Sequence, residues 1–151
     1  MPSPLKIILL GVTGQLGSYL SRILINKKYD VYSPRPRSKS LPRIDGLKWL
    51  SFSIDASKQV EFEELMDEVK PDFVINCIAL TPDSICANNI QTAILVNSVF
   101  PHYISNITRQ YGAKFIHIST DGVFSGNIGM YTETDVPDPP DLYGRTKLLG
   151  E

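Results

Sequence analysis

Leu5-Lys6-Ile7-Ile8-Leu9-Leu10-Gly11-Val12-Thr13-Gly14-Gln15-Leu16-Gly17 decides the fold. Its first six residues are a short apolar run, the pattern of a strand buried on both faces. From Gly14 to Lys27, Leu16, Leu20, Ile23 and Leu24 recur at helical spacing. A glycine turn thus joins a strand to a helix near the chain start. In that context each glycine has its own physical task. Gly11 permits the tight turn, Gly14 leaves room for a pyrophosphate against the backbone, and Gly17 lets the helix pack closely. The helix start offers free N–H groups and a positive dipole end to the phosphates. Thr13, Gln15 and Leu16 complete the loop and are expected at the same ligand.

Outward from this loop, strands and helices alternate. Strands are expected at Tyr29–Ser33, Leu47–Phe52, Phe73–Ala79 and Lys114–Ser119. Between them lie an amphipathic helix, Ser57–Val69, and a longer helical stretch from about Ala87 to Tyr111, which Pro101 is expected to kink or split. Gly122–Asp141 reads as a loop, and a last helix starts at Leu142 or Tyr143. Alternation of this kind demands a parallel sheet with right-handed crossovers. The expected fold is therefore α/β: a doubly wound parallel sheet of Rossmann type with helices on both faces, residues 1–151 forming one domain.

Bulk properties narrow the function. The chain has 151 residues, 42% hydrophobic and 21% charged, the balance of an ordinary soluble domain. A net charge of -1 gives no pull towards nucleic acid or an anionic membrane. Cys77 and Cys86 make neither a disulfide framework nor a metal pattern. Met1-Pro2-Ser3-Pro4 opens no secretory leader, and no run reaches membrane-spanning length, so a cytoplasmic protein is expected.

The glycines follow G-x-x-G-x-x-G spacing. Together with Val74-Ile75-Asn76-Cys77-Ile78-Ala79, Ser119-Thr120-Asp121-Gly122-Val123-Phe124-Ser125-Gly126 and Tyr143-Gly144-Arg145-Thr146-Lys147-Leu148-Leu149-Gly150-Glu151, in that order, they make the chain resemble the extended short-chain dehydrogenases/reductases. Within them it is similar to the dTDP-4-dehydrorhamnose reductase group. The resemblance implies the cofactor-binding part of an enzyme that reduces a 4-keto nucleotide sugar. It implies Asp55 near the adenine, and Asn76, Cys77 and Ala79 where the cofactor passes over the sheet. It also leaves a homodimeric full-length parent open.

The residues themselves favour NADP(H), with NAD(H) as the alternative. An NAD site usually has an acid at the end of the second strand to bind the ribose 2′-OH. Ser33-Pro34-Arg35-Pro36-Arg37 stands there instead. A guanidinium grips a 2′-phosphate with two parallel hydrogen bonds where a carboxylate repels it. Arg35 is the first candidate and Arg37 the second.

Tyr143 and Lys147 are one helical turn apart and share a face. Ketone reduction needs a proton donor as hydride arrives, and an ammonium beside a phenol eases its ionisation. The lysine also suits the nicotinamide ribose. Thr120 can hydrogen-bond the carbonyl being reduced. The resemblance places this role on Thr120 rather than Ser119, and gives Asn97 a part in supporting the lysine and an ordered water. His102 and His117 have no partners at ligand spacing and read as structural.

Three departures from the group stand out. Magnesium-binding members carry a glutamate where this chain has Tyr19, so no metal is expected. Asp141 stands where the group often has asparagine. The chain stops at Glu151, short of the sixth strand and substrate lobe that the resemblance implies, so turnover by these residues alone is not expected. Two other readings stay open: a nucleotide-sugar epimerase or dehydratase, and a non-catalytic dinucleotide-binding regulatory subunit.

Overall fold

The structure is a computed structural model and describes residues 3–35, 42–51, 53–55, 60–81 and 89–151. Five parallel strands form one sheet: β1 (Lys6–Leu10), β2 (Asp30–Ser33), β3 (Lys48–Trp49), β4 (Phe73–Asn76) and β5 (Lys114–His117). Their order, β3-β2-β1-β4-β5, reverses between β1 and β4. In an open α/β sheet that reversal opens a crevice at the carboxyl ends of the two strands, where ligands bind. The sheet is of Rossmann type, as the sequence predicts.

Helices α1 (Gln15–Asn26), α2 (Val60–Val69), α3 (Ile90–Ile94), α4 (Phe100–Gln110) and α5 (Leu142–Leu148) connect or follow the strands. Ile7 and Leu9 of β1 pack in one cluster with Val31, Ile75 and Leu20 and Leu24 of α1. Ile8 and Leu10 alternate to the opposite face and are also fully buried. A strand sealed on both sides explains why β1 reads as an unbroken apolar run. Phe62 of α2 and Tyr103 of α4 meet edge to face, with ring centroids 6.3 Å apart.

Three strands are shorter than their apolar runs suggest. β3 has two residues instead of the six expected over Leu47–Phe52, and Phe52 lies outside the described residues. β4 stops at Asn76 rather than Ala79. There the Asn76 side-chain oxygen accepts the N–H of Ile78 at 3.0 Å, an asparagine turn that competes with the ladder. β5 ends at His117 rather than Ser119, although Ile118 still donates to the Asn76 carbonyl at 3.1 Å.

The long helical stretch is interrupted before Pro101, not at it. Leu95–Val99 forms a π-turn between α3 and α4. A proline ring collides with the carbonyl four residues back, here that of Asn97, and offers it no N–H. Widening the preceding turn relieves the collision and lets the helix continue.

Contacts divide the chain into two compact units. The first comprises Met1–Ile78 and Tyr103–Ile118 and holds the whole sheet. The second comprises Ala79–His102 and Ser119–Glu151. Among the described residues no helix is long and apolar enough to cross a membrane.

Candidate active site

In the first unit the glycine loop leaves β1 at the sheet's reversal point. Gly11 has φ +85°, a conformation that favours glycine, and a Cβ there would stand 2.9 Å from the backbone of Cys77. Gly17 is pressed equally hard. A Cβ would overlap the Gly11 carbonyl oxygen and stand 2.7 Å from its carbon. Gly17 therefore seats α1 on the loop's own backbone rather than on the sheet. Gly14, the N-cap of α1, has ordinary extended angles, and no side chain caps the helix. The first-turn N–H groups of α1 have no partner within the helix. Thr13, Gly14, Gln15 and Leu16 are all exposed around them. This is a helix start open to an anion.

An open cleft of about 230 Å³ joins this loop to the end of β2. Gly11, Val12 and Thr13 line one side and Ser33, Pro34 and Arg35 another, with Ile54 and Ile78. Arg35 is exposed and thus faces the same space as the glycine loop. Arg37 lies outside the described residues, as does Cys86. Asp55 is half-buried and follows Ile54 of the lining. Asn76 is fully buried. Its amide nitrogen meets His117 Nδ1 at 3.2 Å and its oxygen holds Ile78, so its side chain is directed into the unit. Cys77 is half-buried, with its backbone against Gly11.

In the second unit Thr120 caps a 3₁₀ turn, Asp121–Val123, by accepting the N–H of Gly122 at 3.1 Å. Its own hydrogen points at Asp121, 3.3 Å away, and is its only donor. A Cβ on Gly122 would lie 3.4 Å from Thr120 Oγ1 and 4.0 Å from Tyr143 Cδ1, so the two side chains flank this glycine. Asp141 starts α5 by accepting the N–H of Gly144 at 2.7 Å. Gly144 brings α5 onto the 3₁₀ turn, where a Cβ would overlap the Gly122 carbonyl oxygen. Tyr143 is half-buried, and Lys147, one turn on, is 1% exposed.

Asn97 sits in the π-turn and is fully buried. Its oxygen accepts the N–H of Leu80 at 2.8 Å, and its nitrogen donates to the Leu80 carbonyl at 3.0 Å and to Thr146 Oγ1 at 3.1 Å. His102 bonds the Leu149 carbonyl at 2.8 Å, and Ser119 bonds the Glu151 carboxylate. Ala79 is half-buried just before the Leu80 contact. Beyond Thr120, a cleft of about 470 Å³ is lined by Asp121, Gly122, Phe124, Ser125 and Tyr131 among others. Its wall is braced by Asp138, which accepts the Ser125 N–H at 2.7 Å and hydroxyl at 2.6 Å. Those two donors hold the Asp138 carboxyl below its ordinary range.

In the sequence Asp141 stands out only as a departure from the group, and Gly144, Gly150, Ser98 and Thr146 carry no role of their own. Only Asp141 carried a readable signal, a helix-capping residue just before a predicted helix.

A sheet reversing at β1/β4, with a glycine loop and a bare helix start at the reversal, defines a Rossmann-type dinucleotide-binding protein. The chain belongs to the RmlD substrate binding domain family, whose model matches residues 5–151. It is 32% identical over 152 residues to dTDP-4-dehydrorhamnose reductase of Escherichia coli, covering 97% of this chain and 46% of that protein. It is 29% identical over 146 residues to methionine adenosyltransferase 2 subunit beta of Xenopus laevis, covering 97% and 41%. Among solved structures, dTDP-4-dehydrorhamnose reductase from Bacillus anthracis in complex with NADP superposes with a TM-score of 0.80 at 26% identity. That match covers 99% of this chain and 49% of the other. The chain spans about half the length of the curated relatives it matches.

Proposed function

We propose that this chain is the NADP-binding part of an oxidoreductase that reduces a 4-keto nucleotide sugar. The cleft shared by Gly11, Thr13 and Arg35 carries the reading. It joins a helix start suited to a pyrophosphate to a guanidinium suited to a 2′-phosphate, and the residues present fit the dinucleotide. The bound cofactor would supply the hydride. Tyr143 gives the proton to the ketone oxygen as hydride arrives. Thr120 turns its hydroxyl hydrogen from Asp121 to the same oxygen and polarises the carbonyl. Lys147, one helical turn on from Tyr143, would hold the nicotinamide ribose. Arg35, and Arg37 after it, select the phosphorylated cofactor. The substrate lies towards the cleft that begins at Asp121.

Calorimetric titration tests cofactor choice. NADPH binds more tightly than NADH, and Arg35→Ala weakens NADPH by roughly 1.5–3 kcal/mol while leaving NADH nearly unchanged. Equal affinity of the parent for both cofactors sinks the assignment. The similarity to the Xenopus laevis subunit supports a second reading, a non-catalytic dinucleotide-binding regulatory subunit. NADPH oxidation with dTDP-4-keto-6-deoxysugars by the natural protein containing this chain, and its loss in Tyr143→Phe, separates the two.

A further inference from the structure

Thr146 lies between Tyr143 and Lys147, and both its oxygens are engaged. Its hydroxyl accepts Asn97 Nδ2 at 3.1 Å and donates to the Tyr143 carbonyl at 3.0 Å. Its carbonyl accepts the Ser98 hydroxyl at 2.8 Å. Asn97, Ser98 and Thr146 are 0%, 5% and 1% exposed, so these bonds form away from water, where losing one partner is costly.

Two features set this contact apart from ordinary packing. Successive residues of an α-helix do not face one partner. Asn97 and Ser98 do so because both stand in the π-turn that precedes Pro101. The end of α5 is also tightened. Gly150 N–H bonds the Lys147 carbonyl at 3.0 Å, three residues back, and leaves the Thr146 carbonyl without a helical donor. Ser98 supplies that donor. Gly150 makes the approach feasible, since a Cβ there would overlap the Asn97 carbonyl oxygen.

We propose that Ser98 and Thr146 are positioning residues. Through them the π-turn clamps the turn of α5 that carries Lys147 and fixes its spacing from Tyr143. The proposal rests on the reading that Tyr143 and Lys147 perform the chemistry, but its test does not need turnover.

The measurement is the acetylation rate of Lys147, read by peptide mass spectrometry on this chain over a range of sub-denaturing urea. Ser98→Ala and Thr146→Val accelerate labelling of Lys147 by roughly tenfold, through a local opening that urea barely affects. Lys6, whose ammonium is held by the Val69 carbonyl at 3.1 Å, serves as reference and keeps its parent rate. Thr146→Ser retains the hydroxyl and restores slow labelling. An unchanged Lys147 rate in both loss variants overturns the proposal. So does an acceleration that climbs with urea and appears equally at Lys6, which marks a general loss of stability. If Thr146→Val fails to fold, Ser98→Ala decides, since it removes a single hydroxyl. Failure of the functional reading shows elsewhere, as turnover retained by Tyr143→Phe in the natural protein, and leaves the labelling result standing.

Discussion

A Cβ added at Gly14 would meet one atom, the Gly11 carbonyl oxygen, at the ordinary contact distance of 3.4 Å. Added at Gly144, it would overlap the Gly122 carbonyl oxygen and stand 2.9 Å from Pro139. The glycine loop at 11–17 and the segment at 141–151 thus hold glycines of two kinds. Gly144 and Gly150 bring backbone onto backbone within the second unit, and Gly11 and Gly17 do the same within the first. Gly14 alone among these five has no such internal demand, and its φ of -79° suits any residue. Space that the folded chain leaves unused, beside free N–H groups and an arginine, is the mark of a ligand position. Space filled by a neighbouring carbonyl is the mark of a packing position.

Three substitutions press on this contrast, from the largest effect to the smallest. Gly144→Ala should destabilise the protein by roughly 1–3 kcal/mol or more, because backbone at Gly122 must yield. Urea unfolding measures it, and stability equal to the parent would show that α5 does not sit this close. Gly14→Val should cost at most about 1 kcal/mol of stability, as a poorer N-cap. It should abolish dinucleotide binding by occupying the pyrophosphate's space. A folded Gly14→Val that still binds NADPH would return Gly14 to the packing class.

The smallest effect concerns Asp138, in the loop that connects Thr120 to Tyr143. Its carboxyl is held below the ordinary range by the hydroxyl and N–H of Ser125. A carboxyl with a lowered folded value adds stability above its unfolded value and loses it as pH falls through the folded one. Asp138→Asn should therefore be slightly less stable than the parent at neutral pH, and the gap should close below the usual carboxylate range. Melting curves across acid pH check this. A gap that persists in acid would mean that packing of Asp138, not its charge, braces the loop.

What the sequence determined alone follows from local rules. Leu5–Leu10 is a buried strand because an unbroken apolar run has no face to give to water. Gly11, Gly14 and Gly17 form the turn between β1 and α1 because a turn between strand and helix is governed by residues adjacent in sequence. Tyr143 and Lys147 share a face because helical geometry fixes a spacing of four. The parallel sheet follows from alternation of elements.

Strand lengths were misjudged because an apolar run continues past the last ladder bond. Cys77 still donates to the Leu10 carbonyl, and the pairing ends where the side chain of Asn76, in contact with His117 41 residues away in the chain, takes the N–H of Ile78. Pro101 signalled a disturbance, but not that the preceding turn would widen. Only the tertiary structure decided that Asn97 and Ser98 both reach Thr146, across 49 and 48 residues, and that Gly144 and Gly150 seat α5 against two distant carbonyls. Glycine, serine and threonine in such places look like any others in the sequence, because their roles are set by what the fold presses against them and not by their neighbours along the chain.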